Sequence, residues 1–143
     1  MKKILKRLIP VFLLIILAGS FLVYAEICYH ADESALKALA SDGTVTVSAA
    51  GYGWYFDGPS EENVLCFYPG AKVEETAYAP LFRRLAEQGA DVCLVKMPFR
   101  FAFFGANKAD EVLAAYDHPN KYVGGLPSAA LWLPLTRRTM RRI

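Results

Sequence analysis

Between Asn63 and Gly125 short apolar blocks alternate with blocks of helical period, and that alternation fixes the fold class. Asn63–Tyr68 (NVLCFY) is a continuous apolar run of strand length, stopped by Pro69-Gly70. Such a run marks a strand buried on both faces. Tyr78–Gln88 carries its apolar residues at helical spacing, and Gly89 follows as a C-terminal stop. Asp91–Met97 (DVCLVKM) is a second buried strand, ended by Pro98. Asn107–Tyr116 is a helix with Asn107 at its N-cap, and Tyr122–Val123 begins a strand that runs into Gly124-Gly125. Strands separated by single helices imply right-handed βαβ units, hence parallel strands with helices on both faces.

Upstream, Ser34–Ala40 predicts a short amphipathic helix ending at the turn signal Ser41-Asp42-Gly43. Thr44–Ala49 and Gly51–Phe56 read as two strands of a hairpin, closed by Asp57-Gly58-Pro59-Ser60. The expected order is β-β-β-α-β-α-β. The fold class is α/β: a β hairpin followed by parallel βαβ units.

The first 25 residues are of another kind. Lys2, Lys3, Lys6 and Arg7 form a basic start, and Leu8–Ala25 is an uncharged apolar run. As a helix it would reach about 27 Å, close to a bilayer core of about 30 Å. The bilayer is therefore the expected partner of residues 4–25. The basic flank would stay inside and the rest of the chain outside. Val23-Tyr24-Ala25 is a small-x-small cleavage pattern, so the segment is either an anchor or a signal peptide cut after Ala25. The domain is then extracytoplasmic on a membrane anchor, or secreted.

Charge divides the remainder. Residues 26–117 hold all 14 acids against 7 bases, whereas 118–143 hold five bases and no acid. The acidic middle excludes nucleic acid as a natural partner, because binding it needs a basic face. Cys28, Cys66 and Cys93 form no CxxC, and the last two sit in apolar runs as buried, inert thiols. His30 and His118 have no ligand spacing to another His or Cys, so neither metal nor cofactor is expected. Both are expected at the surface.

Several linear blocks resemble a bacterial membrane-anchored or secreted subgroup of the α/β-hydrolase superfamily. They are Phe67-Tyr68-Pro69-Gly70-Ala71-Lys72-Val73-Glu74, Ala77-Tyr78-Ala79-Pro80-Leu81, Val95-Lys96-Met97-Pro98-Phe99, Ala102-Phe103-Phe104-Gly105 and Asn107-Lys108-Ala109-Asp110. Tyr29-His30-Ala31-Asp32 and Gly53-Trp54 fit as well, so the resemblance covers about residues 29–125. It implies the N-terminal half of a hydrolase sheet behind a hydrophobic helix. It also implies a serine nucleophile on a sharp elbow, a His base, an acid and a backbone oxyanion hole, acting on a small acyl substrate. One part maps here: the loop Gly70-Ala71-Lys72 stands where the family places an oxyanion N–H.

The nucleophile does not map. The elbow pattern is Gly-x-Ser-x-Gly, but the chain offers Gly124-Gly125-Leu126-Pro127-Ser128-Ala129-Ala130. Ser128 is the one candidate, and it stands one place late, with Leu126 and Ala130 where the strained turn needs glycine. Suitable synonymous codons for Leu126–Met140, read two bases later, encode Ser-Leu-Gly-Gly-Ala-Met-Ala-Ala-Ala-Tyr-Ala-Ala-His-Asp. The single codons of Trp132 and Met140 both fit. The expectation is three segments: an anchor or signal at 1–25, a partial hydrolase domain at 29–125, and an out-of-frame basic tail at 126–143. Function follows as an ester- or acyl-hydrolysing lineage whose present chain stops before its nucleophile and is inactive. The alternative is a small membrane-anchored interaction protein.

Overall fold

The computed structural model describes residues 2–100 and 107–126. Ser128, the basic tail and Ala102–Phe104 lie outside the described residues. A long helix α1 (Lys2–Glu26) leads into a short α2 (Glu33–Lys37). The side chain of Asp32 caps α2 by accepting the Ala35 N–H at 2.7 Å. Then come β1 (Thr46–Ala50), β2 (Gly53–Asp57), β3 (Asn63–Tyr68), α3 (Ala79–Glu87), β4 (Ala90–Val95), α4 (Lys108–Ala114) and β5 (Asn120–Gly125). Single 3-10 turns at Glu75–Tyr78 and Pro98–Arg100 follow β3 and β4.

The five strands form one mixed sheet in the order β1-β2-β4-β3-β5. β1 and β2 pair antiparallel, and β2 runs antiparallel to β4. β3 pairs parallel with β4 on one side and with β5 on the other. The expected hairpin and parallel βαβ units are therefore both present; β3 has the expected ends, and the other elements' ends shift by one to three residues. β5 is longer than expected because its register with β3 runs from Asn63↔Asn120 to Tyr68↔Gly125.

Each sheet face buries its own core. On one side Val64, Cys66, Cys93, Val95 and Val123 pack against Ala109, Val112 and Leu113 of α4. On the other, Phe56, Val92 and Leu94 pack against Ala79, Phe82 and Ala86 of α3. β4 lies between the two clusters, and Asp91–Val95 are all buried. β3 departs from the sequence expectation. Its α4 face is buried, but on the α3 face Leu65 and Phe67 are only half covered, although both pack against the cluster that holds Phe82 of α3. Cys28, Cys66 and Cys93 are buried free thiols. Asn107 is the N-cap of α4 but makes no side-chain capping bond. The Ala109 N–H donates instead to the Tyr68 hydroxyl at 2.6 Å.

The large apolar side chains of α1 from Leu8 to Val23 are exposed. Among the described residues, no helix is long and apolar enough to cross a membrane, so the fold does not show the expected span.

Two predictions follow from this packing. Phe82 is 3% exposed, with its ring centroid 4.5 Å from that of Phe67. Phe82→Ala should cost about 3–5 kcal/mol in chemical denaturation of the chain, and a loss below about 1 kcal/mol would contradict the packing. Asp42 accepts the Thr44 and Val45 N–H groups at 2.8 and 2.9 Å and pairs with Arg83 of α3. The Val45 and Thr44 bonds, then Arg83, hold its carboxyl down to about 2 from the ordinary 3.8. A carboxyl lowered in the fold stabilises it above its unfolded pKa. Wild type should therefore lose stability relative to Asp42→Asn as pH falls from 3.8 to about 2, read from acid-unfolding curves.

Candidate functional site

In an open α/β sheet the carboxyl ends of parallel strands are where ligands bind. Here that end is formed by the loops after β3, β4 and β5. Three non-glycine residues there adopt left-handed backbone: Lys72 (φ 62°), Phe99 (φ 52°) and Arg100 (φ 55°). Side chains avoid this region unless the surroundings hold them in it. The surroundings are a backbone lattice. Lys72 N–H donates to the Arg100 carbonyl at 3.0 Å, and Arg100 N–H to Met97 at 3.0 Å. Tyr29 N–H donates to Lys72 at 2.9 Å, and Glu74 N–H donates back to Tyr29 at 2.9 Å. The chain leaving α1 is thus laced onto the loop after β3.

Of the loop expected to hold an oxyanion donor, Gly70 N–H makes only a long bond, 3.4 Å, to the Tyr78 hydroxyl. A bond of that length is weak and readily yields its donor to a better acceptor. Lys72 N–H is committed to Arg100. Ala71 sits between them and is itself engaged. A Cβ at position 70 would lie 2.9 Å from Leu126 Cδ1 and 3.2 Å from the Tyr78 hydroxyl, so a side chain there fits only if those two side-chain ends shift. Leu126, the residue after β5, therefore covers the loop.

Beside this loop a cavity of about 270 Å³ opens between the end of α1 and the strand ends. Phe21, Tyr24 and Phe99 give it apolar walls, and Glu75, Lys96 and Arg100 give it charge. The Tyr24 hydroxyl donates to the Phe99 carbonyl at 2.5 Å. Glu74 gathers His30 Nδ1 at 3.1 Å, the Ala31 N–H at 3.2 Å and Arg100 at 3.8 Å. Burial opposes ionisation of Glu74, but the Ala31 and His30 bonds and the Arg100 charge outweigh it and hold the carboxyl below its usual range. His30 is exposed, as expected.

The opposite end of the sheet corrects the expectation for His118. It is buried, because the approach to β5 tucks it against the base of β4. Its Nε2 lies 2.9 Å from Asp91 Oδ2 and 3.4 Å from Glu61 Oε2. Asp91 has no exposed surface, and it also accepts the Tyr55 hydroxyl at 2.5 Å and the Gly58 N–H at 2.8 Å. Burial, then the Asp91 bond, pushes the Tyr55 hydroxyl far up. Sequence spacing gave His118 no His or Cys partner, yet the fold brings Glu61, Asp91 and His118 together. The available signal was an aspartate opening an otherwise apolar strand. Cys93 faces Tyr52 and Tyr116, and burial raises its thiol to about 11, which makes it a poor nucleophile.

Ser128, the expected nucleophile candidate, lies outside the described residues. No curated protein and no solved structure matches the chain. Residues 64–128, from β3 past β5 and including the loop at 70–72, match the family model described as the alpha/beta hydrolase family.

Proposed function

We propose that residues 29–125 are the N-terminal half of a serine hydrolase that, in complete form, cleaves an ester or related acyl bond. The family match over residues 64–128 carries this proposal. The weakly held Gly70 N–H supports it from the geometry, because that donor sits at the carboxyl end of β3. In the complete enzyme a serine oxygen attacks the acyl carbon, and the Gly70-Ala71-Lys72 loop supplies an N–H to the developing oxyanion. One such donor is worth about 3 kcal/mol of barrier.

The 143 residues contain no Gly-x-Ser-x-Gly, and Ser128 follows Pro127 where the elbow needs a tight turn. We therefore propose that this chain does not turn over, and that a shift of frame near Gly125 separates it from an active form. The coding DNA should be sequenced past its stop, and the chain expressed both as it stands and with the frame restored. The first form should leave p-nitrophenyl butyrate untouched, and the second should hydrolyse it. Hydrolysis by the first form that vanishes in Ser128→Ala would overturn this assignment, as would an inactive restored form.

We also propose that α1 attaches the chain to a bilayer. Twelve large apolar side chains between Leu8 and Val23 are exposed. Leaving them in water forgoes on the order of 20 kcal/mol of burial. The chain should remain in the membrane pellet through carbonate washing and enter solution only with detergent or after deletion of residues 1–25. Release by carbonate alone would refute the attachment.

A further inference from the structure

We propose that Glu61, Asp91 and His118 form a divalent-metal site suited to Zn²⁺, which staples the turn after β2, the base of β4 and the approach to β5. The donor set is one imidazole nitrogen and two carboxylate oxygens, and their ligand atoms all lie within 4.8 Å of one another. Zinc in four-coordinate sites takes such nitrogen and oxygen ligands at about 2.0–2.2 Å, which places neighbouring donors roughly 3.3 Å apart. The observed separations from His118 Nε2 are 2.9 Å to Asp91 and 3.4 Å to Glu61. Both distances from Nε2 fit within a few tenths of an ångström, and the two carboxylate oxygens, within 4.8 Å of each other, close toward roughly 3.3 Å as the ion enters and displaces the proton shared by Asp91 and His118.

Other observations point the same way. Asp91 is oriented in advance: Gly58 N–H holds Oδ1, and the Tyr55 hydroxyl uses one lone pair of Oδ2, leaving the other for a metal. Charge is one-sided. Asp57 stands close by, its carboxyl pushed up by burial and then by Asp91 and Glu61. Among the described residues no lysine or arginine pairs with Asp57, Glu61 or Asp91, and His118 is the one basic group in contact with Glu61 and Asp91. A dication compensates that excess. The Glu61 side chain is 80% exposed, which gives an entry path and leaves the fourth position for water. The site lies at the opposite end of the sheet from the loop at 70–72, so it acts on the fold and not on acyl chemistry.

The full chain in detergent, stripped with a chelator, should gain about 5 °C or more in melting temperature at saturating ZnCl₂. Co²⁺ should give the visible absorption of a tetrahedral site. Glu61→Gln changes an exposed side chain, so the metal-free protein should melt as wild type does while its apparent Zn²⁺ affinity falls at least tenfold. His118→Gln should abolish the Co²⁺ spectrum. A wild-type melting temperature indifferent to Zn²⁺ would overturn the site. So would a Glu61→Gln protein that binds Zn²⁺ as wild type does, since the ion would then sit elsewhere.

Discussion

A carboxylate with no exposed surface holds the base of this sheet. Removing an ionised carboxylate from water costs several kcal/mol unless its oxygens are well bonded. Asp91 is bonded from three directions: by the Tyr55 hydroxyl of β2, by the Gly58 N–H of the turn after β2, and by the His118 ring before β5. Those segments meet only if the hairpin lies antiparallel on β4 while β5 lies parallel on β3. The close approach also explains Gly58, where a Cβ would come within 2.3 Å of the Ala86 carbonyl at the end of α3. Mixed strand directions are thus tied at one end by a single polar group.

The other end of the sheet is organised differently. There the backbone is strained at Lys72, Phe99 and Arg100, and main-chain bonds hold it. The strain lies where β3 and β4 deliver their loops, beside a charged cavity under the end of α1. A rigid base and a strained rim suit a scaffold that keeps its chemistry in its loops. Tyr68 links rim to core: its ring is buried in β3 while its hydroxyl satisfies an otherwise orphaned N–H of α4.

The strands were legible because burial on two faces demands unbroken apolar runs, and β4 obeys this through Val95. The α3 helix was legible from its spacing and Gly89. Much less of the polar structure could be read. Asp91 and His118 are 27 residues apart, and no local pattern announces that β3 will bring their segments together. Capping of α4 failed as a local rule for the same reason, since the acceptor came from 41 residues upstream rather than from Asn107. Residues of the candidate loop were found through resemblance. Their physical state, one donor weakly held and one committed to Arg100, needed coordinates.

The strand register also implies an order of events in time. β1 and β2 meet across a turn in which Ala50 faces Gly53, so they can close within microseconds. β3 must wait for partners 27 residues away in β4 and 57 residues away in β5. The chain-closure cost grows with those separations and is met before any contact rewards it. β5 is therefore the last strand to be captured, and among the described residues it pairs on one side only, with β3. A strand held from one side offers its free backbone groups to proteases and to copies of the same chain, so the consequence of a late β5 is an edge exposed late in folding.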